Sequence, residues 1–117
     1  MSFEDSLKRV IEGIGEDSLG IALVGTDGIV VEEYKKDLLL DIQALGAEYC
    51  TFLKETDKIS LNSGLTEELT VTNDNVIIIL KRISEDYFLI LVIRAGGNFG
   101  KSRFLLKRES AVLKDEL

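Results

Sequence analysis

Tyr87-Phe88-Leu89-Ile90-Leu91-Val92-Ile93-Arg94-Ala95-Gly96-Gly97-Asn98-Phe99-Gly100-Lys101-Ser102-Arg103-Phe104 is the stretch on which the fold turns. Tyr87 to Ile93 is a continuous apolar run of strand length, and Gly96 and Gly97 break it. A helix follows from about Lys101. From Ala95 to Ser102 the same residues fit a relaxed phosphate-loop pattern that closes on Gly-Lys-Ser. Either these glycines cradle a phosphate at a helix N-terminus, or they turn a buried strand into a packing helix.

The residues upstream bear on that choice. Asn73-Asp74-Asn75 turns the chain into Val76-Ile77-Ile78-Ile79-Leu80, and Ser84-Glu85-Asp86 turns it again into Tyr87 to Arg94. Both strands are nearly all apolar, which predicts central strands covered on both faces. After a break at Asn62-Ser63-Gly64, Leu65 to Thr72 alternates. Leu69 and Val71 point one way and Glu68, Thr70 and Thr72 the other, as in an edge strand wet on one face. Earlier still, Leu19 to Gly25 is apolar, Asp27-Gly28 is a hairpin turn, and Ile29-Val30-Val31 begins a return strand ending near Tyr34.

Three helices frame these strands. Ser2 and Asp5 form a capping box ahead of the stripe Phe3, Leu7, Val10, Ile11 and Ile14, with Gly13 and Gly15 expected to end the helix. Asp37 or Asp41 caps a second helix reaching about Asp57, with Ile42, Leu45, Tyr49, Phe52 and Leu53 as its core stripe. Its neighbouring face, Gln43, Gly46, Ala47 and Cys50, is small. Such a face admits a second helix at close range or packs on the chain's own sheet. In the last helix Phe104, Leu105, Ala111 and Val112 are expected on one side with Leu106 and Leu113 opposite, so that two partners are needed. The order is α-β-β-α-β-β-β-α. Short turns imply antiparallel pairing, so residues 1–117 read as one α+β domain, a five-stranded antiparallel sheet with helices on both faces.

Composition narrows the chemistry. The chain has 117 residues, a net charge of −7, no His and a single Cys. The absence of His excludes Ser-His and Cys-His nucleophiles, and with one Cys the usual zinc ligand sets. No enzyme activity, cofactor or metal is expected. The negative charge argues against nucleic acid and against anionic membrane as partners. The longest apolar runs are far short of a membrane span. One unpaired Cys and no N-terminal signal sequence fit a cytoplasmic protein. The closing Lys114-Asp115-Glu116-Leu117 spells a retention signal that acts only inside the secretory pathway. No acid occurs between Asp86 and Glu109, while Arg94, Lys101, Arg103, Lys107 and Arg108 all fall there. That cluster is a solvated helix face or a basic patch for an acidic partner.

In the phosphate-loop reading, the alternative function, Lys101 contacts phosphate and Ser102 holds magnesium. Ala95 stands where the strict pattern has Gly, and the loop comes too late for further strands to deliver a magnesium-binding carboxylate.

Three segments resemble the Roadblock family, which has a profilin-like fold. They are Gly20 to Val31 with its Asp-Gly turn, the strand Tyr87 to Ile93, and the turn Asn98-Phe99-Gly100-Lys101-Ser102-Arg103-Phe104. In that turn Asn98, Gly100 and Arg103 are the fold markers. The likeness spans the whole chain. It implies a non-catalytic homodimer that regulates or scaffolds a small Ras-like GTPase. Second helices would pack side by side through Gln43, Gly46, Ala47 and Cys50, and edge strands would join through Leu69 and Val71. A third possibility is a structural subunit of a larger assembly with no GTPase.

Overall fold

A computed structural model describes residues 2–60 and 63–117. The elements follow the expected order: α1 (Phe3–Ile14), β1 (Ser18–Gly25), β2 (Val30–Lys35), α2 (Ile42–Ile59), β3 (Glu68–Thr72), β4 (Val76–Arg82), β5 (Tyr87–Arg94) and α3 (Phe99–Glu116). The five strands form one sheet in the order β2-β1-β5-β4-β3, antiparallel throughout. β5 is therefore the centre of the sheet and β3 is an edge, as read from the sequence. β1 is also interior, and all eight of its residues are buried.

Local chemistry sets the ends of these elements. Ser2 and Asp5 make the reciprocal capping box of α1. Asp41, not Asp37, caps α2, its carboxylate accepting the Ala44 N–H at 3.1 Å. Asp37 is spent on its own turn, accepting from the Leu39 N–H. Ser63 and Gly64 precede β3 outside any strand or helix, whereas Asn62 lies outside the described residues.

The sheet separates two cores. One lies under α1 and α3 and includes Leu7, Ile11, Ile21, Leu91, Leu106 and Leu113. The other lies under α2 and includes Val24, Ile42, Leu53, Phe88 and Ile90. Thus two helices cover one face and a single helix covers the other.

Three expectations change. Gly13 does not end α1 but sits within it, where a Cβ would come 2.9 Å from Leu105 Cδ1. It is the point of close approach between α1 and α3. Gly15, with φ of +88°, is the helix cap. The last helix is not apolar on two sides. Ser102, Leu105, Leu106, Glu109, Ser110 and Leu113 form one buried stripe, while Phe104 is exposed. Adjacent residues lie about 100° apart on a helix, so Leu105 and Leu106 straddle one face rather than opposing each other. Two polar members hid that stripe. Glu109 is buried because Arg9 of α1 reaches it, with Nη2 at 2.8 Å and Nε at 3.0 Å from Oε1, and Arg108 Nε donates to Oε2. Burial pushes the Glu109 carboxyl up, but these two guanidinium partners outweigh it and hold it below its ordinary range. Finally, Phe52 belongs to the surface and not to the core of α2, being 51% exposed with its ring edge-on to Tyr49 at 5.8 Å.

Candidate interaction surface

The small-residue face of α2 divides in the structure. Gly46 and Cys50 are buried against the chain's own sheet. A Cβ on Gly46 would come within 3.2 Å of Val24 Cγ2 and 3.4 Å of Val30 Cγ2. The Cys50 thiol donates to the Thr26 carbonyl at 2.9 Å. Both residues are thus turned toward the chain's own sheet. Gln43 and Ala47 are exposed, and Ala47 lies beside the β1–β2 hairpin, its Cα 3.9 Å from where a Gly28 Cβ would stand. This flank of α2 points away from the β3 edge.

The opposite flank carries Leu45, Phe52, Thr56 and Ile59, which share one side at helical spacing. Leu45 is half-buried, while Phe52 is 51% and Ile59 75% exposed. The Thr66 hydroxyl donates to Thr56 Oγ1 at 2.8 Å, which turns this flank toward the segment that enters β3. On β3 the side chains of Leu69 and Val71 are half-buried at the margin of the α2-side core. Leu65, just before the strand, is 49% exposed. Among the described residues β3 pairs only with β4, so its outer N–H and C=O groups form an open edge. An apolar helix flank therefore stands beside an unpaired strand.

A partly buried ion pair ties α2 to the segment that enters β3. Arg82, at the end of β4, makes two parallel bonds to Asp57 of α2, Nη1 to Oδ1 at 2.9 Å and Nη2 to Oδ2 at 3.0 Å. Asp57 Oδ1 also accepts the Thr66 N–H at 2.7 Å, and Arg82 Nη1 reaches the Thr66 carbonyl. The hydrogen bond from Arg82 is the main reason the Asp57 carboxyl lies below its ordinary range.

At the strand-to-helix turn, Gly96 has φ of +84°, the conformation that favours glycine. Asn98 caps α3, with Oδ1 accepting the Lys101 N–H at 3.0 Å. The Ser102 hydroxyl donates to the Asn98 carbonyl at 2.8 Å and is fully buried. A donor and a hydroxyl that a phosphate and a metal would need are thus engaged within the turn. Arg103 pairs with Glu68 of β3, Nε to Oε1 at 2.6 Å and Nη2 to Oε2 at 3.0 Å. That bond draws the Glu68 carboxyl down and the Arg103 guanidinium up. Gly100 is different, since a Cβ there would meet only Asn98 Oδ1 at 3.9 Å. Space does not require its glycine. Asn98→Ala is expected to cost about 1 kcal/mol through loss of the cap, read as a lower melting temperature with the circular dichroism spectrum unchanged.

The sequence matches no protein-family profile and no curated protein. Among solved structures, it is similar to MglC from Myxococcus xanthus, with 33% identity, TM-score 0.72, and complete coverage (100%) of both chains. The chain belongs to the Roadblock family. A Roadblock/LC7 domain from Streptomyces avermitilis has only 8% identity but a TM-score of 0.86, covering 99% of this chain and 98% of its own. An MglB structure with a tetrameric arrangement has 16% identity and a TM-score of 0.86, over 96% of this chain and 85% of that one. These two likenesses establish the Roadblock fold and nothing narrower. No helix among the described residues is long and apolar enough to cross a membrane.

Proposed function

We propose that this Roadblock protein is a non-catalytic regulator or scaffold that self-associates and binds a small Ras-like GTPase in the cytoplasm. The observation that carries the reading is the apolar flank of α2, Leu45, Phe52 and Ile59, standing beside the open β3 edge. A second copy would cover both at once, strand against strand and flank against flank. Burying a Phe or an Ile side chain contributes about 1.5–3 kcal/mol, so two half-exposed ones are a real incentive to associate. Leu69 and Val71 then belong to the joining edge. Gln43 and Ala47, on the far flank, do not belong to the helix contact. The tetrameric arrangement of the structurally similar MglB supports self-association.

Sedimentation across concentration tests the first half. The wild-type protein is expected to be at least dimeric at about tens of micromolar, and Phe52→Glu to weaken association by about a hundredfold, the ratio that burying a charge in an apolar contact produces. A monomeric wild type would overturn the reading. For the second half, the tagged protein is purified from its own cells and the eluate is denatured and assayed for guanine nucleotide. GDP or GTP accompanying a co-purified chain is expected. An intact dimer whose partners carry none would instead favour a structural subunit without a GTPase. The phosphate-loop alternative would require that the chain alone bind ATP or GTP with magnesium and lose it in Lys101→Ala. The inward Ser102 hydroxyl disfavours it.

A further inference from the structure

A groove of about 290 Å³ opens between α3 and the β3–β4 edge, on the face opposite α2. Ile79 and Leu106 form its buried floor, Phe104 stands 64% exposed on its wall, and Lys81, Arg103 and Lys107 rim it. One acid, Glu68, lines it, and Arg103 holds both of its oxygens. Lys81 pairs at 3.4 Å with Glu67, whose side chain is 77% exposed, and Lys107 makes no ion pair among the described residues. With Glu68 and Glu67 set against Arg103 and Lys81, the rim keeps one net positive charge, carried by Lys107, on a chain of net charge −7.

We infer that this groove docks an acidic segment of a partner protein, carboxylates against Lys81 and Lys107 and an apolar side chain over Phe104. This goes beyond the self-association and GTPase reading and does not depend on it. Charge complementarity selects the occupant. The rest of the chain repels an anionic partner, so a segment rich in Glu or Asp is steered to this face. Phe104 calls for something other than a bare anion, because an ion alone would leave its exposed ring uncovered. Gly100 adds a second, independent sign. It lines the groove, and a Cβ there would meet no atom closer than Asn98 Oδ1 at 3.9 Å. What its missing side chain leaves free is the groove itself.

The test uses a fluorescein-labelled peptide of alternating Glu and Leu, titrated with the full chain at low salt and followed by anisotropy. Saturable binding is expected. It should weaken about tenfold, the equivalent of one rim charge or contact, in Lys107→Glu and in Gly100→Leu. Lys54→Glu, the same charge change on exposed α2, should leave it unchanged. A Gln-Leu peptide should bind about tenfold more weakly. A Cβ at Gly100 meets no atom closer than 3.9 Å, and a melting temperature equal to wild type in Gly100→Leu is the control by which lost binding reports the groove and not unfolding. The inference is overturned by absent saturation, by equal loss in Lys54→Glu, or by equal binding of the Gln-Leu peptide. Phosphatidylserine vesicles that bind with the same dependence on Lys107 would reassign the face to membrane and overturn it too.

Discussion

Asp57→Ala is expected to destabilise the protein by about 3–5 kcal/mol, the cost of leaving a buried charge without its partner. Arg82 is only 7% exposed and would keep a single hydrogen bond, to the Thr66 carbonyl. The same substitution frees the Thr66 N–H and detaches α2 from the segment that leads into β3. Self-association should fall with stability, because the flank and the edge would no longer be held side by side. Urea unfolding with unchanged midpoint in the variant would show that the pair contributes nothing. A pH dependence accompanies it. The Asp57, Glu68 and Glu109 carboxyls all lie below their ordinary ranges in the folded chain. The stability they contribute is present above the unfolded-state values of about 4, and is lost as pH falls through the lower folded values. Wild type should therefore lose stability below about pH 4, and Asp57→Ala should lose less over the same range.

Gly46→Leu is expected to cost about 1–3 kcal/mol by overpacking the α2-side core. Its Cβ alone would be 3.2 Å from Val24 Cγ2, and Val24 is fully buried on the interior strand β1. The measurement separates two accounts of α2. If Gly46 packs within its own chain, thermal stability falls while the folded protein associates as wild type does. A variant of normal stability that no longer associates would return Gly46 to the intermolecular contact.

Much of the fold was legible because its signals are local. The capping box of Ser2 and Asp5, the Asp27-Gly28 turn, the alternation of Leu69 and Val71 with their polar neighbours, and the apolar run Tyr87 to Ile93 each lie within a few residues, and each found its expected element. The errors cluster where a distant residue decides. Glu109 belongs to the buried stripe of α3 only because Arg9 of another helix is placed against it, which no local pattern announces. Gly13 read as a helix end because the approach of Leu105 lies far along the chain. On α2, spacing identified which residues share a flank but not what stands opposite, and of the two arrangements the small face allowed, Gly46 and Cys50 lie against the chain's own sheet.

The same distinction applies to the stretch from Tyr87 to Phe104. Its sequence by itself determined a central strand, a glycine turn and a capped helix, since backbone conformation and periodicity are set by neighbours in the chain. Tertiary structure decided what the turn can do. It buried Ser102, spent Arg103 on Glu68, and left Gly100, Phe104 and Lys107 along an open groove. Availability of a side chain depends on which element lies across from it, and that information belongs to the packing of distant segments.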